Sequence, residues 1–244
     1  GVEEEKILDT DLFLYNRQPG TVWGANGEFI SSPKLDDLEC AYTSLKAFLT
    51  CEPAALKSIP MCCVFDNEEV GSSTKQGADS TFLYDTLRRI TLGLGKDEEE
   101  LYTAIAASVM LSADNAHAVH PNHPEYTDPT NQVFMNKGIV VKYNANQKYT
   151  TDAVSGAIFR SICKKAEVPT QTFFNRSDML GGSTLGNISN SHVSLNTIDI
   201  GLPQLAMHSC YETAGVEDTR CLLSAMAAYY GMTLRVSGES YELM

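Results

Sequence analysis

The sequence predicts an α/β protein, a mixed β-sheet flanked by helices. Short stretches that read as strands, at residues 61–65, 138–143, 170–174 and 193–200, alternate with longer segments of helical periodicity. Strands alternating with helices of this length indicate a sheet covered on both faces, and the stretch 61–65 is fully apolar. A chain of 244 residues, 43% hydrophobic and 20% charged, is long enough for one large domain with a core, and no internal repeat or low-complexity segment is evident.

After an irregular opening, residues 35–49 set Leu35, Leu38, Tyr42, Leu45 and Leu49 at helical spacing behind Ser31-Ser32-Pro33. Residues 61–65 (MCCVF) read as a buried strand whose end runs into the acidic stretch CVFDNEEVGSST, with Glu68 and Glu69 side by side. Residues 80–94 and 98–111 read as helices, the second opened by Asp97-Glu98-Glu99-Glu100, whose charge complements the helix N-terminus. A strand at 138–143 (GIVVKY), a helix at 152–167, strands at 170–174 and 193–200 and a helix at 216–230 complete the expected order.

A formal charge of −13 disfavours nucleic acid and anionic membrane surfaces as partners. No apolar run approaches the roughly 20 residues of a membrane span, and the opening GVEEEKILDTDL lacks the basic and apolar regions of a signal peptide. The seven cysteines are odd in number and unpatterned, without a CxxC pair. They read as reduced thiols of a cytoplasmic protein.

Ligands of α/β sheets gather beyond the carboxyl ends of strands, where this reading puts Glu68 and Glu69. Adjacent carboxylates on a loop point in different directions. One can bind a cation while the other handles a proton, which suits hydrolysis by a metal-activated water; a solvent-exposed acidic turn explains the doublet equally well. Residues 112–123 (SADNAHAVHPNH) supply Asp114 and, at intervals of three, His117, His120 and His123. With Pro121 and Pro124 beside them, these histidines read as polar loop residues rather than a zinc cluster. Taken alone, His208 reads as a core histidine, and Asp36-Asp37 as first-turn acids of a helix. Together, Asp36, Glu69, Asp114 and His208 form an oxygen-rich set with one imidazole, suited to zinc, manganese or cobalt.

In order along the chain, Asp36 in SPKLDDLECAYTSLKAFL, Glu68-Glu69 in DNEEVGSST, Asp114 in SADNAHAVHPNH, the stretch GIVVKYNANQKYTTD and His208 in GLPQLAMHS resemble the motifs of the M18 metalloaminopeptidases. The resemblance covers almost the whole chain. It implies the α/β fold of the co-catalytic zinc exopeptidases (phosphorylase/hydrolase-like) and two divalent metal ions, zinc first, with manganese or cobalt as alternatives. It implies that Asp36 bridges the ions, with a cis bond between Asp36 and Asp37, that Glu69 and Asp114 each hold one ion, and that His208 completes one coordination shell. Glu68 would be the general base towards the attacking water. The resemblance places His117 and Lys142 near the substrate and makes Tyr149 a donor to the developing oxyanion. The loop 177–184 (SDMLGGST), with Gly182, would line the same pocket, its glycines letting the backbone approach a substrate.

Members of the family also carry an earlier His-x-Asp segment and an inserted interface domain, and none of the five histidines here is followed by x-Asp. The expectation is that residues 1–244 are the C-terminal portion of a single metallopeptidase catalytic domain, lacking the inserted dimerisation domain and leaving a sheet edge uncovered. The longer protein would act on peptides, as a homo-oligomer. The alternatives are a catalytically incomplete fragment or non-catalytic assembly subunit of the same fold and, less favoured, a metal-free pair of glycosidase carboxylates.

Overall fold

In the computed structural model, which describes residues 1–52, 56–238 and 240–244, the strands expected in the second half of the chain lie side by side. The elements in order are β1 (Thr21–Trp23), β2 (Phe29–Ser32), α1 (Leu35–Leu49), α2 (Phe82–Gly93), α3 (Glu98–Ala106), β3 (Val109–Ala113), β4 (Ala116–His117) and β5 (Ile139–Tyr143). There follow α4 (Ala153–Lys165), β6 (Thr170–Phe174), α5 (Leu185–Asn190), β7 (Asn196–Gly201), β8 (Pro203–Leu205), β9 (Glu212–Gly215), α6 (Val216–Tyr230) and the hairpin β10 (Leu234–Ser237) and β11 (Ser240–Leu243). A four-stranded sheet has the order β3-β7-β5-β6, parallel except between β7 and β5. A five-stranded sheet has the order β1-β2-β9-β8-β4, with only β4 and β8 parallel.

The two sheets share chain. The pair β3 and β7 runs on into the pair β4 and β8, and the backbone N–H groups of Asp114 and Ala116 donate to the carbonyls of Ile200 and Leu202 across the junction. Strand alternation then sorts the side chains of β5. Ile139 and Val141 join Ile198 and Ile200 of β7 in the main core against α1, α4 and α6, where Ala47, Phe159, Ile162, Leu222 and Met226 are fully buried. Each large apolar side chain so enclosed stabilises the fold by roughly 1.5–3 kcal/mol. Val140 packs on the other face with Ala116, Val133, Tyr149 and Phe173, and alternation puts Lys142 on that face too. Helices α3 and α4 each open on a capping box, Asp97 with Glu100 and Asp152 with Ser155.

Three expectations are corrected. Residues 61–65 are not a strand: among the described residues no strand pairs with them, and Cys63 and Val64 are exposed. Apolar composition makes a strand only where an adjacent edge accepts its hydrogen bonds. The expected helix over 98–111 stops at Ala106, and Val109 begins β3 in parallel register with β7; periodicity cannot divide one apolar run between helix and strand, and the pairing does. The strand expected over 193–200 begins at Asn196, behind the unforeseen α5. Strands β1, β2, β4, β8 and β9 are at most four residues long, too short to show a period. Among the described residues, no helix is long and apolar enough to cross a membrane.

Candidate metal centre

The junction of the two sheets collects the acidic residues. Asp36 and Asp37 lie at the start of α1, but their backbone is not helical (φ −83°, ψ 114° and φ −117°, ψ 34°), and Lys34, in the left-handed region, precedes them. They are therefore not the dipole-stabilised first-turn acids that α1 would hold if it began regularly. The peptide between them is cis. Glu68 and Glu69 stand on a single 3-10 turn, Glu68–Val70, shaped by Asn67 at φ 59° and by bonds from the Ser72 and Asp66 amides to the carbonyls of Asn67 and Gln76. Asp114 sits where β3 passes into β4. His208 is in the loop between β8 and β9, at φ 65°, with its imidazole 66% exposed. It is not a core histidine.

These segments converge. His208 Nε2 lies 2.9 Å from Glu69 Oε2 and 3.5 Å from Asp36 Oδ2. Asp36, Glu69 and His208 offer ligand atoms all within 4.8 Å of one another, and so do Asp36, Asp37 and Asp114. Asp36 belongs to both groups. Asp37, read from the sequence as a helix-start acid, thus stands in the second.

The crowding has an electrostatic signature. Burial, and then the charges of Asp114 and Glu69, push the Asp36 carboxyl up to about 8 against the opposing Lys142. Burial pushes Asp37 well above the carboxylate range, with Asp114 adding to it, and it raises Glu69 against the pull of His208. Glu68 is pushed up to about 7, by burial first and then by Asp114 and Glu69. Asp36 Oδ1 and Asp37 Oδ1 are buried without any hydrogen-bond partner. Buried acceptors without donors and carboxylates without enough positive charge are what a divalent cation would satisfy. The donor set, carboxylate oxygens with one imidazole, fits zinc and the harder manganese or cobalt.

Lys142 is nearly inaccessible. Its Nζ lies 3.2 Å from Asp114 Oδ2, donates to the Asn115 carbonyl at 2.7 Å and stands 5.6 Å from the centre of the Tyr149 ring. A cleft of about 670 Å³ opens over the centre, and its lining includes Glu68, His117, Tyr149 and Gly182. His117 reaches solvent at the cleft wall, yet partial burial and then Lys142 draw it below its usual value. Burial raises the Tyr149 phenol, with Lys142 opposing, so it stays a proton donor at neutral pH. At Gly182 no atom would obstruct a side chain, so the protein's own packing does not demand glycine there. His120 and His123 line the cleft but, among the described residues, belong to no group of possible metal ligands; His123 pairs with Glu125 at 3.1 Å. Asn115, Asp199 and Glu212 are also buried; Asn115 stands beside Asp114 in the stretch 112–123, whereas Asp199 and Glu212 carry no local motif.

Residues 1–230 match the family model described as Aminopeptidase I zinc metalloprotease (M18). The chain belongs to the M18 family of metalloproteases. A probable M18 family aminopeptidase 2 of Clostridium novyi is 46% identical over 242 residues, which are 99% of this chain and 53% of that protein. A chain of the solved Ape4 and Nbr1 complex superposes with a TM-score of 0.80 at 36% identity, over 88% of this chain and 42% of its own. The mApe1 dodecamer of S. cerevisiae gives 0.75 at 27% identity, over 88% and 49%. This M18 chain thus spans about half the length of the curated relatives it matches.

Proposed function

We propose that the chain is the C-terminal portion of the catalytic domain of a metal-dependent aminopeptidase, which releases N-terminal residues from peptides at a dinuclear, preferentially zinc, centre. The observation that carries this reading is Asp36. It stands in both groups of possible ligands and keeps one buried oxygen without a partner. Asp36 would be shared by two ions, Glu69 and His208 completing one set and Asp114 the other, with Asp37 beside it.

When bound, such ions supply Lewis acidity to the scissile carbonyl and make water a nucleophile at neutral pH. The protein groups do the rest. Glu68, raised to about 7 and lining the cleft, would take the proton of the attacking water and return it to the leaving amine. Tyr149, protonated, would donate to the developing oxyanion. Lys142 holds Asp114 in place from beneath, and His117 and Gly182 would face the substrate on the cleft wall.

The test is a full-length protein containing this chain, reconstituted with zinc, manganese or cobalt and given a panel of peptides. Release of N-terminal residues with two metal equivalents bound is expected; no release from any peptide overturns the reading. Homo-oligomeric assembly of the whole protein is proposed by analogy with the mApe1 dodecamer. Because the chain spans about half of its relatives, a second reading is an incomplete or non-catalytic assembly portion of the same fold. A full-length protein that binds no metal and shows no turnover would favour it.

A further inference from the structure

Glu212 lies on β9, 2% exposed, and its carboxylate does two jobs at once. Its Oε2 accepts the backbone N–H of Asp36 at 2.9 Å, and its Oε1 accepts the backbone N–H of His208, also at 2.9 Å. The two amides come from opposite ends of the chain. One belongs to the irregular first residues of α1; the other to the loop joining β8 and β9.

From this geometry we infer that Glu212 is a positioning residue of the metal centre, setting the distance between the Asp36 carboxylate and the His208 imidazole through their backbones. The inference rests on the metal reading proposed above. His208 needs such a device because its ring is two-thirds exposed. Its backbone is in the left-handed region, which a non-glycine residue holds only when its surroundings fix it. Asp36 needs it because its backbone departs from the helix and a first-turn amide has no intrahelical acceptor. A carboxylate meets the demand, since it presents two acceptors and no donor. Strand pairing carries the geometry further: Glu212 sits opposite Ser32 of β2, close before Asp36 in the chain, so β9 fixes the carboxylate and the approach to α1 together. An amide in its place would turn a donor towards one of the two N–H groups.

The test is zinc titration of a full-length protein containing this chain against a competing fluorescent chelator, for the wild type, Glu212→Gln, Glu212→Asp and Thr213→Val. Thr213 is on the same strand and its hydroxyl bonds to that of Ser31 at 2.7 Å, away from the centre. Its variant therefore reports what disturbing β9 alone does. Glu212→Gln is expected to weaken zinc binding roughly 10–100-fold, as loss of a supporting partner of a metal ligand does, with Glu212→Asp in between and Thr213→Val at the wild-type value. A smaller loss in Glu212→Gln, or an equal loss in Thr213→Val, overturns the role. Should Glu212→Gln not fold, amide hydrogen exchange of the wild type decides: the Asp36 and His208 amides must be protected, and rapid exchange at His208 overturns the inference. A wild-type full-length protein that takes up no zinc instead overturns the metal reading, and this inference with it.

Discussion

Lys142 Nζ lies 3.2 Å from Asp114 Oδ2 and donates to the Asn115 carbonyl at 2.7 Å, with only 4% and 14% of the two charged side chains exposed. Burial works against the ammonium, but the charges of Asp114 and Asp199 outweigh it and hold Lys142 charged. Lys142→Met keeps the length and removes the charge, leaving Asp114 and its acidic neighbours without their internal cation. Removing one partner of a buried pair destabilises by roughly 3–5 kcal/mol. That loss is expected in urea unfolding of the metal-free chain at neutral pH, and a change below about 1 kcal/mol would show the pair to be dispensable.

How far the sequence reached depends on what each residue does. Asp36, Glu68-Glu69, Asp114 and His208 stand in motifs, and the structure brings their segments together because motif and local backbone coincide. The helix at 35–49 and the strand at 139–143 were legible for a similar reason, since periodicity directly reports a buried face. Residues 61–65 were misread because a pattern states what could be buried, not which edge would pair with it. Glu212 acts on the His208 amide four residues away but also on the Asp36 amide 176 residues away, and Asp199 on Thr150 at a separation of 49. No spacing in the sequence carries that information.

Glu68 and Glu69 should separate by readout in a full-length protein containing this chain. Glu68→Gln is expected to lower kcat by about 10²–10⁴-fold, the usual contribution of a general base, with metal content unchanged. Glu69→Gln should release metal first, so that added zinc restores part of the activity. Metal analysis beside peptide kinetics distinguishes them; full activity in Glu68→Gln would remove the base role from this doublet.

Gly201 is a buried glycine of β7 that no sequence pattern singled out. A Cβ built there would come 1.9 Å from the carbonyl oxygen of Asp114, a backbone atom that cannot swing aside. Gly201→Ala must therefore push β7 away from the junction that places Asp114. A stability loss of roughly 1–3 kcal/mol is expected from overpacking, together with weaker metal binding. Gly93→Ala, in α2 with open space around it, serves as the control and should be neutral or slightly stabilising.

Glu39 gives a pH dependence of defined sign. Burial pushes its carboxyl from 4.5 up to about 7, with Asp218 and Glu212 adding to the rise and bonds from Thr219 and Asn115 opposing it. The folded state then binds a proton more tightly than the unfolded one. This group's contribution to stability is fully present below about pH 4.5 and is lost as pH rises through 7. Glu39→Gln should flatten the fall in melting temperature across that window, by the equivalent of a few kcal/mol at most. Parallel curves for variant and wild type between pH 4.5 and 7 would contradict the raised value.

Asp199 ties together two walls of the cleft without touching the metal candidates. Its Oδ2 accepts the backbone N–H and the hydroxyl of Thr150 at 2.6 and 2.7 Å, and its Oδ1 accepts the hydroxyl of Thr184 at 2.8 Å. Thr150 follows Tyr149, and Thr184 closes the loop that holds Gly182, so one fully buried carboxylate sets where the phenol and the glycine loop stand. In Asp199→Asn one acceptor becomes a donor facing donors, and one wall must move. Positions within the metal groups lie on other segments and should be undisturbed. The expected outcome in a full-length protein is therefore a kcat/KM lowered by roughly 10–100-fold, in keeping with the cost of small misplacements at a reacting site, while zinc stoichiometry and affinity stay at the wild-type values. Zinc lost in proportion to activity would mean that Asp199 supports the whole junction and not the cleft walls alone.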